Sequence, residues 1–465
     1  MMTTRRGILA LLEDRRAAWV ILLLAVVLRL GILFLVADEP LVSDAAGYFK
    51  EARYLAEGTS YTPRWPPGLP IYLSVFQHLN SGEFLARASM LLWFLALALL
   101  GYRLVLDASQ EAKWTPEGAA SARFGANLLL LAFALYPCYV LNSVDTLTQL
   151  PAAVGVTAAA LLTLRVARGA GVGTAVVLGC VLGATVLIRP TSLVLLAGVP
   201  VYLAVKLKKP LPPLAVFLPA AGVVGLWLLV AQHMTGHFVF INEANTWNLF
   251  LGNNPYTPLY RTWWLGSHSG VESGWPAGFR RLVTEINALP AHLRSGRYAA
   301  VAWVEIAGRP DLFLVRSLSR VRTYLATDSF TGSYLVKIFG LPLWVGLAAI
   351  AADGAFYVGI AGAVVAALFA GGRVLPERDA LTVLLGISLL YALPYFVSFS
   401  HPVYHIPTTP LVAVVAAVFA GRLRRGGDVW EKLKKSKKRR IGLWVVAAIF
   451  VAIQIEWLVV MAGVM

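Results

Sequence analysis

Charge is scarce in this chain. Only 14% of its 465 residues are Asp, Glu, Lys or Arg, against 58% hydrophobic, and the mean hydropathy is +0.70. A soluble globular protein of that ratio lacks the polar surface to cover itself, which excludes one, and a large separate soluble catalytic domain with it. Cysteine is nearly absent. Cys138 and Cys180 are the two in the sequence, both inside apolar helical segments, so nothing points to a disulfide framework or a zinc site, and both read as packing residues. No internal repeat, heptad or Gly/Ser linker is visible, and 1–465 reads as one membrane domain. No base-reading module accompanies the net charge of +16, so nucleic acid is not an expected partner.

Long apolar runs are what the chain does have. Stretches of about 17–25 residues, each long enough to cross a hydrocarbon core about 30 Å thick, recur along it. The expectation is an all-α polytopic membrane protein of about eleven transmembrane helices. The spans fall near 19–36, 84–106, 124–141, 150–164, 172–188, 192–205, 214–230, 344–370, 380–399, 410–419 and 441–464. Asp353 interrupts the run 344–370 and marks where it could divide. The first run has the positive flank of a signal peptide but is too long and lacks a small-residue cleavage site, so it is expected to stay as a membrane helix.

Basic residues flank these spans at Arg5, Arg6, Arg15 and Arg16, at Arg165 and Arg168, at Lys206, Lys208 and Lys209, and densely over 422–440. By the positive-inside rule those segments are cytoplasmic, with the N-terminus inside and, for an odd count, the C-terminus outside. The run Lys432, Lys434, Lys435, Lys437, Lys438, Arg439 and Arg440 is placed against anionic headgroups of the membrane lipids.

Two external segments follow from that topology. In the first, 37–82, residues 45–57 have the two-faced pattern of an interfacial helix, and Pro66, Pro67 and Pro70 interrupt regular helix. The second, 233–337, carries Trp247, Trp263, Trp264, Trp275 and Trp303 and an amphipathic helix over 309–325.

Chemistry is sought on the external side. Asp44 follows the first span in Val42-Ser43-Asp44-Ala45-Ala46-Gly47-Tyr48 and suits a general base that takes a hydroxyl proton; an ordinary helix N-cap is the competing reading. Asp145, in the turn Asn142-Ser143-Val144-Asp145-Thr146, could share its pocket, orienting sugar hydroxyls or a divalent cation, or could also be a cap. Arg189 is a bidentate phosphate partner or an anchor that snorkels to headgroups. Arg29, inside the first span, is a functional candidate because a charge there needs a wet cavity or a partner. Arg64-Trp65-Pro66-Pro67-Gly68 makes a rigid turn; Tyr61 and Trp65 could stack on a sugar or belong to the interfacial aromatic belt. The segment 245–255, with Asn253 and Asn254, is amide-rich and aromatic, as carbohydrate-facing loops and plain turns both are. His401 and His405 flank Pro402, Val403 and Tyr404, and the prolines around them argue against a metal site.

Taken together these residues resemble the GT-C superfamily of membrane glycosyltransferases, in its bacterial branch similar to protein O-mannosyltransferases and lipid A aminoarabinose transferases. Asp44 with Tyr48 looks like that family's first-loop acid and tyrosine, and Trp65-Pro66-Pro67-Gly68 is similar to its PPG-type element. Leu187-Ile188-Arg189-Pro190-Thr191 looks like its Arg-Pro hairpin, and Asn248 to Pro255 resembles its Asn-rich loop. The resemblance implies a GT-C-like bundle in a bacterial cytoplasmic membrane, with the site outside. It implies an inverting transfer of sugar from a polyprenyl-phosphate donor to an acceptor hydroxyl on an envelope lipid, a glycan or a protein. Asp44 would be the base and Asp145 the second acid. Tyr48, Arg64, Trp65, Arg189, Asn253, Asn254, Arg261, His401, Tyr404 and His405 would contact substrate. No cofactor is required by that reading, with a divalent cation left open. Two departures stand out: Ala45 occupies a position where many relatives carry an acid, and Val403 stands where an arginine is common, so Arg189, Arg64 or Arg261 must supply the charge. The alternative is a transporter or flippase for a lipid-linked sugar, which predicts an inverted repeat that is not visible.

Overall fold

The computed structural model describes residues 10–58, 61–78, 82–109, 115–244, 246–266, 274–369, 378–424 and 436–463. Arg5, Arg6, Asn245, Lys432, Lys434 and Lys435 lie outside these, and so do the expectations attached to them. All regular structure among the described residues is helical.

The first helix, α1 (Arg15–Leu35), starts where the Asp14 carboxylate accepts the Arg16 N–H at 2.8 Å, an N-cap for an otherwise apolar run. Two short helices follow, α2 (Ser43–Glu57) and α3 (Gly68–His78), and they pack on one another. Helix α2 buries Ala45, Tyr48, Glu51 and Ala52, spaced three to four apart, and ends on Gly58 in the left-handed region at φ 63°. Next come α4 (Gly82–Ala108) and α5 (Pro116–Leu135), the latter opened by Thr115, whose hydroxyl accepts the Gly118 N–H at 3.1 Å. The expected span 124–141 therefore begins earlier, and it breaks at Tyr136 because Pro137, which opens α6 (Pro137–Asn142), has no N–H to continue the ladder.

Helices α7 (Gln149–Ala167), α8 (Val172–Ile188), α9 (Leu193–Leu207) and α10 (Leu211–Thr235) complete the first half, with a 3-10 turn at Pro190–Ser192 between α8 and α9. The middle segment holds α11 (Trp247–Gly252), α12 (Ala277–Asn287), α13 (Ala291–Gly308), α14 (Pro310–Tyr324) and α15 (Phe330–Lys337). The chain then continues through α16 (Leu343–Phe369), α17 (Arg378–Val397), a 3-10 turn at Pro402–His405, α18 (Thr409–Arg424) and α19 (Lys437–Ala462).

Nine helices among the described residues are long and apolar enough to cross a membrane. Of the about eleven spans expected from apolar length, two are shorter, α8 with 17 residues and α18 with 16, while α9 reaches 18 with the 3-10 turn at Pro190–Ser192 that leads into it. Helix α18 is buried along most of its length against α4, α5, α16 and α17, so its apolarity serves protein packing rather than lipid contact. Asp353 does not divide α16, which runs unbroken for 27 residues with that carboxylate fully buried.

Arg29 is also settled by packing. Its guanidinium donates to Ala25 O at 3.2 Å, Ala134 O at 3.0 Å and Phe133 O at 2.9 Å and lies 3.5 Å from the Phe94 ring centroid. The carbonyls at the end of α5 are left over by the break at Pro137, and Arg29 takes them up. Of the two expected placements, bundle interior or wet cavity, Arg29 takes the first and clamps α1 to α5.

Candidate active site

Asp44 stands in the first turn of α2, just past the end of α1. Val42 is extended and Ser43 adopts φ 54°, a conformation rarely taken by a residue with a Cβ, so the main chain turns sharply into the helix at this point. The N-cap is Val42, and Asp44 accepts no hydrogen bond among the described residues, which removes the capping explanation for a carboxylate here. Its side chain is exposed to solvent and yet surrounded by protein on almost every side, the combination found on the wall of a cavity. Burial raises its pKa, and the Arg189 guanidinium pulls it part of the way back.

Arg189 enters from the turn between α8 and α9. Pro190 ends the α8 ladder, and the turn is held by Arg189 N–H to Thr185 O at 2.8 Å and Ser192 N–H to Arg189 O at 2.9 Å. The guanidinium lies 5.0 Å from the Tyr404 ring centroid, makes no ion pair within 4.0 Å among the described residues, and keeps Nη1 buried without a hydrogen-bond partner. A ring of tyrosines surrounds it. Tyr395 stacks on Tyr404 at 4.5 Å, and its hydroxyl meets the Thr191 hydroxyl at 2.7 Å and donates to the Tyr391 hydroxyl at 3.3 Å. Tyr48 feels both Asp44 and Arg189, and burial raises its pKa. A half-buried cation among phenols, within electrostatic reach of one enclosed carboxylate, can bind an anion while the carboxylate accepts a proton.

The rigid turn of the first loop walls this arrangement. Glu51 receives the Trp65 backbone N–H at 2.9 Å and the Tyr61 hydroxyl at 3.4 Å, so one carboxylate ties the turn to α2. Trp65 packs on Tyr48 with ring centroids 5.4 Å apart. Any Cβ at Gly47 would meet the Trp65 Nε1 at 2.6 Å, which is why the ring can lie flat on α2 there. The Arg64 side chain is exposed, and its carbonyl accepts Asn242 Nδ2 at 3.0 Å.

Other candidates are placed elsewhere. Asp145 is 2% exposed, accepts the Thr146 N–H at 2.9 Å and answers to Arg87 instead of Arg189. Burial raises its pKa to about 6, with Arg87 pulling it down. Its neighbours Thr146 and Thr148 reach Ala45 O and Tyr48, so the turn supports α2, while the Asp145 carboxylate is under the influence of Arg87 and Tyr334. The amide of Asn253 is consumed by Leu249 O, Val397 O and Arg320, and that of Asn254 by Phe250 O and the Tyr256 N–H. Both belong to a knot joining α11 to α14 and α17, and the expected sugar contact from either gives way to packing. Arg261 is exposed and is not among the charges that Asp44 feels.

His401 and Tyr404 keep solvent-accessible surface while enclosed, as Asp44 does. His405 does not. It is 2% exposed, donates Nδ1–H to Tyr324 O at 2.9 Å and stacks on Tyr357 at 4.2 Å, so one face and one nitrogen are taken up by packing. Burial lowers the pKa of both histidines to about 4, leaving them neutral and Arg189 as the cation of the cluster.

A separate buried group brings ligand atoms of Cys138, Asp328 and Asp353 within 4.8 Å of one another. Asp353 accepts from Cys138 N–H, Thr327 Oγ1 and Tyr136 OH, which explains it as the staple of the α5–α6 break. Sequence reading passed over Tyr391, Tyr395 and Glu51. The first two were findable as tyrosines four apart on one helix face; Glu51 carries no local signal, since its partners Tyr61 and Trp65 are set by the turn.

Fold and site define an all-α polytopic membrane protein with an enclosed, solvent-open acid and, within electrostatic reach of it, a half-buried arginine at one end of its helix bundle. Compared with protein-family models, curated proteins and solved structures, the chain matches none of them.

Proposed function

We propose that the chain is an inverting glycosyltransferase of the GT-C type, acting on a polyprenyl-phosphate-linked sugar at the non-cytoplasmic face of the membrane. The acceptor hydroxyl gives its proton to an Asp44 oxygen as its own oxygen attacks the anomeric carbon. The bond from that carbon to the phosphate oxygen breaks, its electron pair leaves with polyprenyl phosphate, and configuration inverts. Arg189 receives the phosphate, with the Tyr48 and Tyr404 hydroxyls beside it, and the lipid tail lies between helices.

The observation that carries the reading is the Asp44–Arg189 pair: among the described residues, an enclosed carboxylate that accepts no hydrogen bond and a guanidinium whose buried Nη1 lacks a partner. Each costs stability unless a ligand uses it. The test is transfer of labelled sugar from polyprenyl phosphate to membrane acceptors by the reconstituted full chain, wild type against Asp44→Asn. Undiminished transfer by the variant removes the base assignment, and solute uptake with no transfer product replaces the enzyme with a transporter.

A further inference from the structure

At the opposite end of the bundle, the start of α1, the end of α4 and the start of α5 enclose a cavity of about 400 Å³. That is within the range of about 300–1,000 Å³ typical of ligand sites. Its walls are Ala18, Trp19, Leu22, Leu99, Leu106 and Leu130, and its polar members are chiefly arginines: Arg15, Arg103 and Arg123. Trp19 is 72% and Leu99 54% exposed, so the cavity reaches the surface that the bilayer covers. It is remote from the candidate active site, since α1 runs from Arg15 at this end to Leu35, beyond which Asp44 lies.

Among the described residues the lining carries more positive than negative charge. Asp107 is the one carboxylate among the described residues of the lining, and it is already held by Arg165 at 3.1 Å and Arg103 at 3.3 Å. Arg123 donates Nε–H to Glu13 O at 2.8 Å, which fixes the side chain without neutralising it. Arg15 has no ion-pair partner among the described residues, and Arg15 and Arg123 both act on the Tyr102 phenol. Arg15, Arg123 and the Tyr102 phenol line the same cavity as the apolar side chains, so an anion seated there could reach both guanidiniums. The walls are firm as well: Asn127 donates to Leu12 O at 2.8 Å and Asp14 O at 3.0 Å, and Glu13 pairs with Arg424 at 3.2 Å.

We propose that this cavity is a binding site for an anionic glycerophospholipid of the surrounding leaflet, with its phosphate on Arg15, Arg123 and Tyr102 and one acyl chain along Leu22, Leu99 and Leu130. Two arginines, one of them held by the Glu13 carbonyl, complement a headgroup of net charge −1. A zwitterionic headgroup would bring its own ammonium against them.

Native mass spectrometry of the delipidated full chain, with phosphatidylglycerol, phosphatidylethanolamine or a polyprenyl phosphate added, decides it. Phosphatidylglycerol is expected to remain bound, and the double variant Arg15→Ala/Arg123→Ala to weaken it about thirtyfold. Leu22→Trp, which fills the slot and keeps both arginines, is expected to lose the lipid too, and it serves where the double variant fails to fold. Equal retention of phosphatidylethanolamine, undiminished binding by Leu22→Trp, or preference for polyprenyl phosphate would each overturn the assignment. None of these outcomes depends on glycosyl transfer, so the two proposals stand or fall separately.

Discussion

Gly68 rests against the main chain of Ile188. A Cβ at position 68 would stand 2.8 Å from the Ile188 nitrogen and 2.9 Å from the Leu187 carbonyl carbon, closer than side-chain carbons come to backbone. The turn ending in Pro67-Gly68 therefore presses α3 directly onto the residue before Arg189, and it links the two halves of the candidate site. Gly68→Ala cannot be absorbed by rotating a side chain. Turnover should fall by up to about 10²-fold through misplacement of Arg189, with a stability loss of about 1–3 kcal/mol. Kinetics beside thermal unfolding in detergent separates the two effects.

Asp44→Asn keeps the shape and removes the base. The rate of sugar transfer should fall by about 10²–10⁴-fold, while the unfolding temperature holds or rises, because an enclosed charge has gone. A fall in stability matching the fall in rate would mean that the carboxylate is structural.

The acid limb of the rate profile should lie above the range of an ordinary carboxylate, because burial raises the Asp44 pKa and only its ionised form is a base. Arg189 is what holds that pKa down. Arg189→Gln should move the limb to still higher pH as well as lower the maximum rate, whereas Arg189→Lys should restore much of the limb's position. A profile that stays in place in both variants would separate the two residues.

Asn253→Ala should cost about 1–3 kcal/mol of stability by leaving carbonyls and Arg320 without partners, and should leave the KM for donor unchanged. Arg320 donates to Gly252 O and Asn253 Oδ1, and at 2.9 Å to Val397 O, so Arg320→Leu should be the more damaging change. A raised KM at full stability would return Asn253 to the substrate.

Glu51 has its pKa raised to about 7, by burial first, with the Trp65 N–H and Tyr61 hydroxyl opposing. The folded state thus holds this proton more tightly than the unfolded chain. Its contribution is complete below the unfolded value of about 4.3 and is lost as pH rises through 7. Glu51→Gln still accepts from Trp65, so it should flatten the stability profile across that window and unfold later than wild type at pH 8.

What could be read early was what local pattern controls. Helix α2 was visible at 45–57 from its two-faced spacing, and α14 at 309–325 for the same reason. Asp44 and Arg189 stood out because they are charges beside apolar spans. The intrachain partners of Asn253 and Asn254 are not legible, because an amide on a loop has the same sequence signature whether it faces a sugar or a carbonyl of its own chain. His405 differs from His401 only in what lies behind it, Tyr357 and Tyr324, residues distant in sequence.

By itself the sequence determined that this chain lives in a bilayer as a set of helices, because apolar length and scarce charge admit no other solvent, and it marked the acid and the arginine most worth watching. Only the tertiary structure decided that Asp44 faces Arg189 while Asp145 turns to Arg87, and that Arg29 is a clamp. The physical reason is that the partner of a buried charge is chosen by which helix ends meet, and that meeting is set by contacts such as Gly68 on Ile188, between residues far apart along the chain.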